Sequence, residues 1–250
     1  MIRTVLLLFL VAALALSGVG CMVNPHLRSA ELELDSTQPS LITVSTQPTT
    51  EPEAVLPTEP SQPPAEPDEQ DFVKIADYVP NVKIALAYAT TNNFTGQVIY
   101  SFSDAYLRCG TVKKLILVAQ ELEKQGYGLL IWDGYRPVYA QAKLFEVYPD
   151  PTYVSPPGVG NQNHCRGRAV DLTLYDLSTG QMLMMPTGFD DFSALADRNY
   201  DDVSAEAATN SLLLEQVMVA AGFKGYSKEW WHYNDTDNYP IEDQFDPAMI

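Results

Sequence analysis

Cysteine and histidine are scarce in this chain, three of each in 250 residues, and no two cysteines form a C-x-x-C pair. That excludes a disulfide-framed miniprotein and a structural zinc site built on paired cysteines. Positive charge is short as well: 15 Lys and Arg stand against 32 Asp and Glu, a formal net charge of −17. A nucleic-acid binder draws most of its affinity from neutralising phosphates, so no nucleic-acid partner is expected. The apolar run from Val5 to Leu16 falls short of the roughly 20 residues that span a bilayer. No protein partner is indicated either.

What is abundant is proline, 18 in all, and it is unevenly placed. Residues 1–20 read as an export signal: Arg3 supplies the positive end, Val5 to Leu16 the apolar stretch, and Ser17-Gly18-Val19-Gly20-Cys21 the small residues before a cysteine. Cys21 is the expected lipidation site, with ordinary signal cleavage nearby as the alternative. Residues 21–70 form the next segment. Asn24 to Gln70 holds nine prolines and nine acidic residues against one basic residue, Arg28. Such a stretch cannot bury enough apolar surface to offset its ordering entropy, so it is expected to be a disordered tether. His26 lies in it and has no expected role. Residues 71–250 remain as the folding unit, acidic in their own right with 23 acidic against 13 basic residues.

Within that unit, helical and extended patterns alternate without a regular β-α-β repeat, which predicts an α+β domain. Lys83 to Thr90 and Gln97 to Tyr100 are β-compatible. Thr111 is placed to cap a helix whose Val112, Leu115, Ile116, Ala119 and Leu122 recur at helical spacing, closed by Gly126. Tyr127 to Trp132 reads as a buried strand, and Pro137 as the first position of a helix running through Val138 to Tyr148. Pro149 to Asn163 is a loop, Ala169 to Tyr175 a strand, Ser204 to Ala221 a helix stopped by Gly222, and Glu229 to Tyr233 a last strand.

The unit contains two histidines, each at metal-site spacing from a carboxylate. His164 begins His-Cys-Arg-Gly-Arg-Ala-Val-Asp, ending at Asp171, and Gly167 permits a tight turn between them. His232 ends Glu-Trp-Trp-His, which begins at Glu229. Two imidazoles and a carboxylate leave an open position on a tetrahedral zinc, the pattern of a catalytic site, and a nearby unligated carboxylate can serve as its base. The plain alternative is two satisfied histidines, an Asp171 that merely ends a strand and a Glu229 that is a solvated charge. Arg136 follows the strand in Trp-Asp-Gly-Tyr-Arg. Held there, it can stabilise an oxyanion, or it can simply pair with Asp133 at the surface.

These stretches resemble a known family. Gln-Gly-Tyr-Gly-Leu-Leu-Ile-Trp-Asp-Gly-Tyr-Arg-Pro, His164 to Leu174 and Tyr226 to Tyr233 resemble the motifs of VanX-type D-alanyl-D-alanine dipeptidases. Tyr88-Ala89-Thr90 followed by Asn93-Phe94-Thr95-Gly96 is similar to that family's opening motif. The likeness runs from about Phe72 to about Pro240. It implies a single compact zinc D,D-peptidase-like domain, a small mostly antiparallel sheet packed by helices, binding one Zn2+ per chain. It also implies His164, Asp171 and His232 as zinc ligands, Glu229 as general base and acid, and Arg136 as the transition-state arginine. Asp190, in Met185-Pro186-Thr187-Gly188-Phe189-Asp190, matches the aspartate that holds the dipeptide's free amino group; Asp191 beside it reads as a surface charge. Tyr88 and Asp133 fall at pocket positions, although an aromatic such as Tyr88 is more often core. Gln162 stands where the family usually has a substrate-contacting Ser, and the aspartate turn is rewritten. Both departures bear on which dipeptide fits.

Cys109 and Cys165 are expected as buried free thiols, with a disulfide between them as the alternative. Cys165 adjoins a zinc ligand, but neighbouring residues on an extended chain point apart, against a Cys–His nucleophile. The expectation is thus an exported, lipid-anchored enzyme on the outer face of the cytoplasmic membrane or in the periplasm. It would hydrolyse D-alanyl-D-alanine or similar short D-peptides in wall turnover or scavenging. The rivals are a D,D-carboxypeptidase acting on wall stem peptides and a non-catalytic zinc-containing wall-binding lipoprotein.

Overall fold

The computed structural model describes residues 66–160 and 162–250. The signal segment, Cys21 and residues 21–65 of the tether lie outside the described residues. No helix among the described residues is long and apolar enough to cross a membrane.

Eleven regular elements follow in chain order. They are β1 (Phe72–Lys74), α1 (Ile75–Tyr78), β2 (Val82–Ile84), β3 (Tyr106–Arg108), α2 (Cys109–Glu123), β4 (Tyr127–Asp133), α3 (Val138–Val147), β5 (Ala169–Asp176), α4 (Ala205–Ala220), β6 (Phe223–Tyr226) and β7 (Glu229–Asp235). Strands β1 and β3 form an antiparallel pair. The main sheet has the order β2-β4-β5-β7-β6, antiparallel throughout except for the parallel pair β2–β4. The α+β expectation holds, with a sheet that is mostly antiparallel.

Helix α2 packs on β4, α4 on β5 and β6, and the two helices touch each other. Leu115, Val118 and Leu122 of α2 and Leu214 and Met218 of α4 are buried against Leu129, Ile131, Leu172 and Leu174 of the sheet. Burying each such side chain contributes roughly 1.5–3 kcal/mol relative to leaving it in water. Strand β5 is buried on both faces from Ala169 to Tyr175. Its polar residues Asp171 and Thr173 are therefore enclosed rather than facing solvent, as the alternating pattern had suggested.

Several local expectations shift. Thr111 does not cap α2. The helix starts at Cys109, and the amides of Cys109 and Gly110 donate to the main-chain carbonyls of Asp71 (2.8 Å) and Glu69 (3.0 Å). A returning chain segment thus satisfies the first free amides, leaving the Thr111 hydroxyl to donate to Asp235 Oδ2 at 2.8 Å. The ordered chain accordingly begins a few residues before Asp71. Only Val82–Ile84 of the first expected strand is extended; Ala87–Ala89 forms a 3-10 turn. Gln97 to Tyr100 is no strand, and the amides of Ile99 and Tyr100 both donate to the Tyr88 carbonyl at 2.9 Å. Pro137 is the cap residue before α3, not its first position. Ser204 does cap α4, its Oγ accepting from the Ala207 amide at 3.1 Å. Cys109 and Cys165 are both free and buried, so no disulfide joins them.

Candidate active site

Three elements of the sheet converge on one point. Asp171 of β5 lies directly across the ladder from His232 of β7. In the pairing of β4 with β5, the register shifts between Ile131 and Asp133: Ile131 faces Leu172, yet Asp133 faces Asp171. Such a bulge turns the strand end and re-aims its side chains. His164 opens a short 3-10 turn, His164–Arg166, closed by Gly167 at φ 68°. That left-handed conformation suits glycine, and a Cβ there would come within 2.3 Å of the Phe72 ring.

His164 Nε2 lies 3.3 Å from His232 Nδ1 and 3.3 Å from Asp171 Oδ2; His232 Nδ1 lies 2.9 Å from Asp171 Oδ1. The outer face of each ring is fixed separately. Nδ1 of His164 sits 2.8 Å from the Gly134 carbonyl and Nε2 of His232 sits 3.0 Å from Asn234 Oδ1. Each of those nitrogens donates its proton outward, so in the neutral rings the inward nitrogens carry lone pairs. Two imidazole lone pairs and a carboxylate thus face one another at the edge lengths of a tetrahedron with bonds of about 2.0–2.1 Å. This donor set fits a zinc ion. Burial alone would raise Asp171, but the charge and hydrogen bonding of the two rings hold its carboxyl well below the usual carboxylate range.

Glu229 Oε2 lies 3.7 Å from His232 Nδ1 and makes no closer pair there. Burial, with the charges of Asp171 and Asp190, pushes its carboxyl up to about 8 against the pull of His232 and Arg136. A base so tuned holds a proton firmly enough to pass it on.

Arg136 is buried and its guanidinium is held on two sides. Nε and Nη2 donate to Asp133 Oδ2 at 2.9 and 2.6 Å, and Nη1 donates to Gln141 Oε1 at 2.9 Å. Asp133 itself is 0% exposed, its other oxygen accepting from the Tyr100 hydroxyl at 2.7 Å and the Gly134 amide at 2.9 Å. Asp133 therefore lies behind Arg136 and holds it, rather than lining the cleft as a substrate contact. The pair is buried, not the surface ion pair weighed as the plain alternative.

The cluster opens into a cavity of about 280 Å3 lined by His164, Asp171, His232, Glu229, Arg136 and Asp190, with Phe94, Tyr153, Phe192 and Tyr226 on its walls. Asp190 has φ 57°, a left-handed backbone that Asp adopts more readily than most residues, and its Oδ2 accepts from the Tyr88 hydroxyl at 2.8 Å. Burial, then the charges of Asp171 and Asp133, push its carboxyl up to about 8 despite the Tyr88 bond and Arg136. Gln162 also lines the cavity, but its amide nitrogen is turned away, donating to the carbonyls of Pro156 (3.1 Å) and Val159 (3.3 Å). Burial pushes the Cys165 thiol up to about 11, which removes it as a nucleophile.

Sequence reasoning did not find Tyr100, Gln141, Asn234 or Arg198. Asn234 was accessible: two residues after His232 on a strand, it shares that residue's face. Tyr100 and Gln141 meet Asp133 and Arg136 only through the tertiary fold.

A family model described as D-ala-D-ala dipeptidase, a peptidase of the M15 group, matches residues 68–248. The D-alanyl-D-alanine dipeptidase of Escherichia coli (strain K12) is 38% identical over 181 residues, which is 71% of this chain and 93% of that protein. That of Enterococcus faecium is 34% identical over 181 residues, 65% of this chain and 90% of its own. Among solved structures, the LdcB LD-carboxypeptidase aligns over 72% of this chain and 71% of its own, at 19% identity and a TM-score of 0.37, a likeness too weak to bear on the site.

Proposed function

The chain belongs to the D-alanyl-D-alanine dipeptidase family of zinc metallopeptidases, and from that premise we propose that it hydrolyses D-alanyl-D-alanine or a similar short D-dipeptide with a free amino end. The observation that carries this reading is one small cavity that brings together the His164–Asp171–His232 cluster, Glu229, Arg136 and Asp190.

His164, Asp171 and His232 would hold one zinc ion. Bound there, zinc supplies Lewis acidity that polarises the scissile carbonyl and makes a water nucleophilic near neutral pH. The chain's own groups account for the rest. Glu229 takes the proton from the attacking water and returns it to the amine as the C–N bond breaks. Arg136, clamped by Asp133 and Gln141, presents its remaining N–H groups to the oxygen on which negative charge develops. Asp190 receives the substrate ammonium, and Tyr88 fixes the orientation of that carboxylate. A cavity of about 280 Å3 suits a small ligand, and an anion at one end selects short peptides with an unblocked amine. Gln162 adjusts the wall beside His164.

The proposed setting is outside the cytoplasm, with residues 1–20 as export signal, Cys21 as lipid anchor and residues 21–70 as tether holding residues 71–250 off the membrane. Its support is the composition and order of those residues. A tether of that length has a typical end-to-end distance of roughly 40 Å. Outside the cell membrane, such an enzyme meets wall-derived peptides rather than cytoplasmic precursors, which favours scavenging or wall turnover.

The test offers the zinc-loaded protein D-Ala-D-Ala, its N-acetylated form and a wall pentapeptide. Cleavage of the free dipeptide alone is expected. Cleavage of the pentapeptide or the blocked dipeptide would replace this reading with a D,D-carboxypeptidase. Cleavage of none by a folded, zinc-loaded protein would leave a wall-binding lipoprotein.

A further inference from the structure

One guanidinium outside the cleft grips the strand that carries both Glu229 and His232. Arg198 lies eight residues past Asp190, in the loop leading to α4, and its side chain is 11% exposed. All five of its N–H donors are engaged. Nε donates to the Tyr226 carbonyl at 2.9 Å, and Nη2 to the carbonyls of Trp230 and His232, both at 3.0 Å. Nη1 donates to Glu215 Oε2 at 3.0 Å and to the Tyr233 hydroxyl at 3.1 Å. The Arg198 amide adds a sixth bond, to the Ser227 carbonyl at 3.2 Å. Four main-chain carbonyls of the β6–β7 hairpin therefore depend on this one residue, and they bracket Glu229 and His232.

The hairpin needs such a grip. Its ladder runs regularly from Phe223 opposite Asp235 to Gly225 opposite Tyr233, then breaks, and Tyr226 faces Glu229 across a register shift. At a bulge the ladder leaves carbonyls without strand partners, and buried carbonyls must find donors elsewhere. Arg198 supplies those donors from a rigid planar fork that a lysine does not reproduce. The sequence accommodates it at Gly225, where a Cβ would fall 2.3 Å from the Arg198 Cζ. From these contacts we infer that Arg198 is a positioning residue. It fixes the Glu229 carboxyl and the His232 ring relative to each other, and so governs zinc affinity and the catalytic step without touching substrate. The inference rests on the roles given above to Glu229 and His232.

The experiment compares Arg198→Lys and Gly225→Ala, which disturb the fork from its two sides, with Glu215→Gln, which removes its anion but leaves the four carbonyl bonds. Zinc affinity is read by competition with a chromophoric chelator, kcat and KM on D-Ala-D-Ala, and stability by urea denaturation. Arg198→Lys and Gly225→Ala are expected to weaken zinc by about 10-fold or more and to lower kcat by about 10–100-fold, the range typical of groups that orient metal ligands. KM should stay within about 3-fold, because Asp190 and Tyr88 hold the ammonium from other elements. Glu215→Gln should lose stability alone. Zinc affinity and kcat within about 2-fold of the parent in whichever of the two fork variants folds would overturn the inference. So would equal losses in Glu215→Gln. A zinc-affinity loss in a protein that cleaves no dipeptide would leave the positioning role standing and sink the proposed substrate instead.

Discussion

Tyr88 and Asp190 are joined by a 2.8 Å hydrogen bond across 102 residues of sequence, phenol donating to carboxylate at the end of the cleft away from solvent. The bond, with the left-handed backbone of Asp190, leaves that carboxylate a single orientation. A charge-assisted bond between a substrate ammonium and a partly buried carboxylate contributes about 1.5–3 kcal/mol. Asp190→Asn should therefore raise KM for D-Ala-D-Ala by roughly 10–100-fold, with kcat changed far less. Tyr88→Phe keeps the charge and should raise KM by only a few-fold, roughly the 0.5–1.5 kcal/mol of one hydrogen bond. Steady-state kinetics on both variants check this. Unchanged KM in Asp190→Asn would remove the ammonium assignment.

Glu229 approaches the metal-site cluster only through the 3.7 Å contact to His232, close enough to exchange a proton with a water held there but outside the donor triangle. Glu229→Gln keeps the shape and removes the base. It should lower kcat by about 10²–10⁴-fold, the usual worth of a positioned general base, with zinc affinity nearly preserved. Kinetics paired with a zinc titration separate this from loss of a ligand, in which both quantities would collapse together.

Asp133 and Arg136 form a fully enclosed pair. Removing one partner of such a pair strands the other charge and typically costs about 3–5 kcal/mol, whereas removing both is far milder. Asp133→Ala should thus lose about 3–5 kcal/mol in urea denaturation. The double variant Asp133→Ala/Arg136→Met should recover much of that stability while remaining inactive. A double variant no more stable than Asp133→Ala would show that the pair is not the source of the loss.

The core was legible because it is local: Leu115 and Leu122 fall at helical spacing, and Tyr127 to Asp133 is apolar nearly throughout. The candidate ligands were legible because His-x6-Asp and Glu-x-x-His are short-range spacings that a turn and a strand convert directly into geometry. What stayed hidden depends on distant segments. Thr111 has the chemistry of a cap, but the chain at Glu69 and Asp71 reached the helix amides first. Asp133 looks like a surface partner for Arg136 until the β4 bulge turns it inward, and Arg198 carries no motif at all. Its role exists only because β6 and β7 fall out of register beside it.

Chelation offers a test of the cluster that needs no substrate. Three acceptor atoms face one another at 2.9–3.3 Å, so the metal-free protein gathers lone pairs that zinc would neutralise. At free zinc a thousandfold above its dissociation constant, binding to the folded state alone adds about 4 kcal/mol. Stripping the metal should lower the thermal midpoint and zinc should restore it. In His232→Ala the response should be largely lost.

The Asp190 carboxyl also makes stability depend on pH in a direction opposite to most carboxylates. Its ordinary value near 4 is pushed up to about 8, chiefly by burial. The folded state therefore holds a proton that the unfolded chain releases at much lower pH. By linkage, the stabilising contribution of that proton is complete below about pH 4 and is lost as pH rises toward 8. Asp190→Asn cannot titrate and escapes the loss. In metal-free protein, where no cation offsets the charge, the variant should gain on the parent between pH 5 and pH 8, by the order of 2 kcal/mol. Urea denaturation of both proteins at the two pH values measures the difference. A gap that stays constant would mean Asp190 is ionised throughout. The cleft would then carry its anion ready-made, and substrate binding should show no matching rise in strength across the same window.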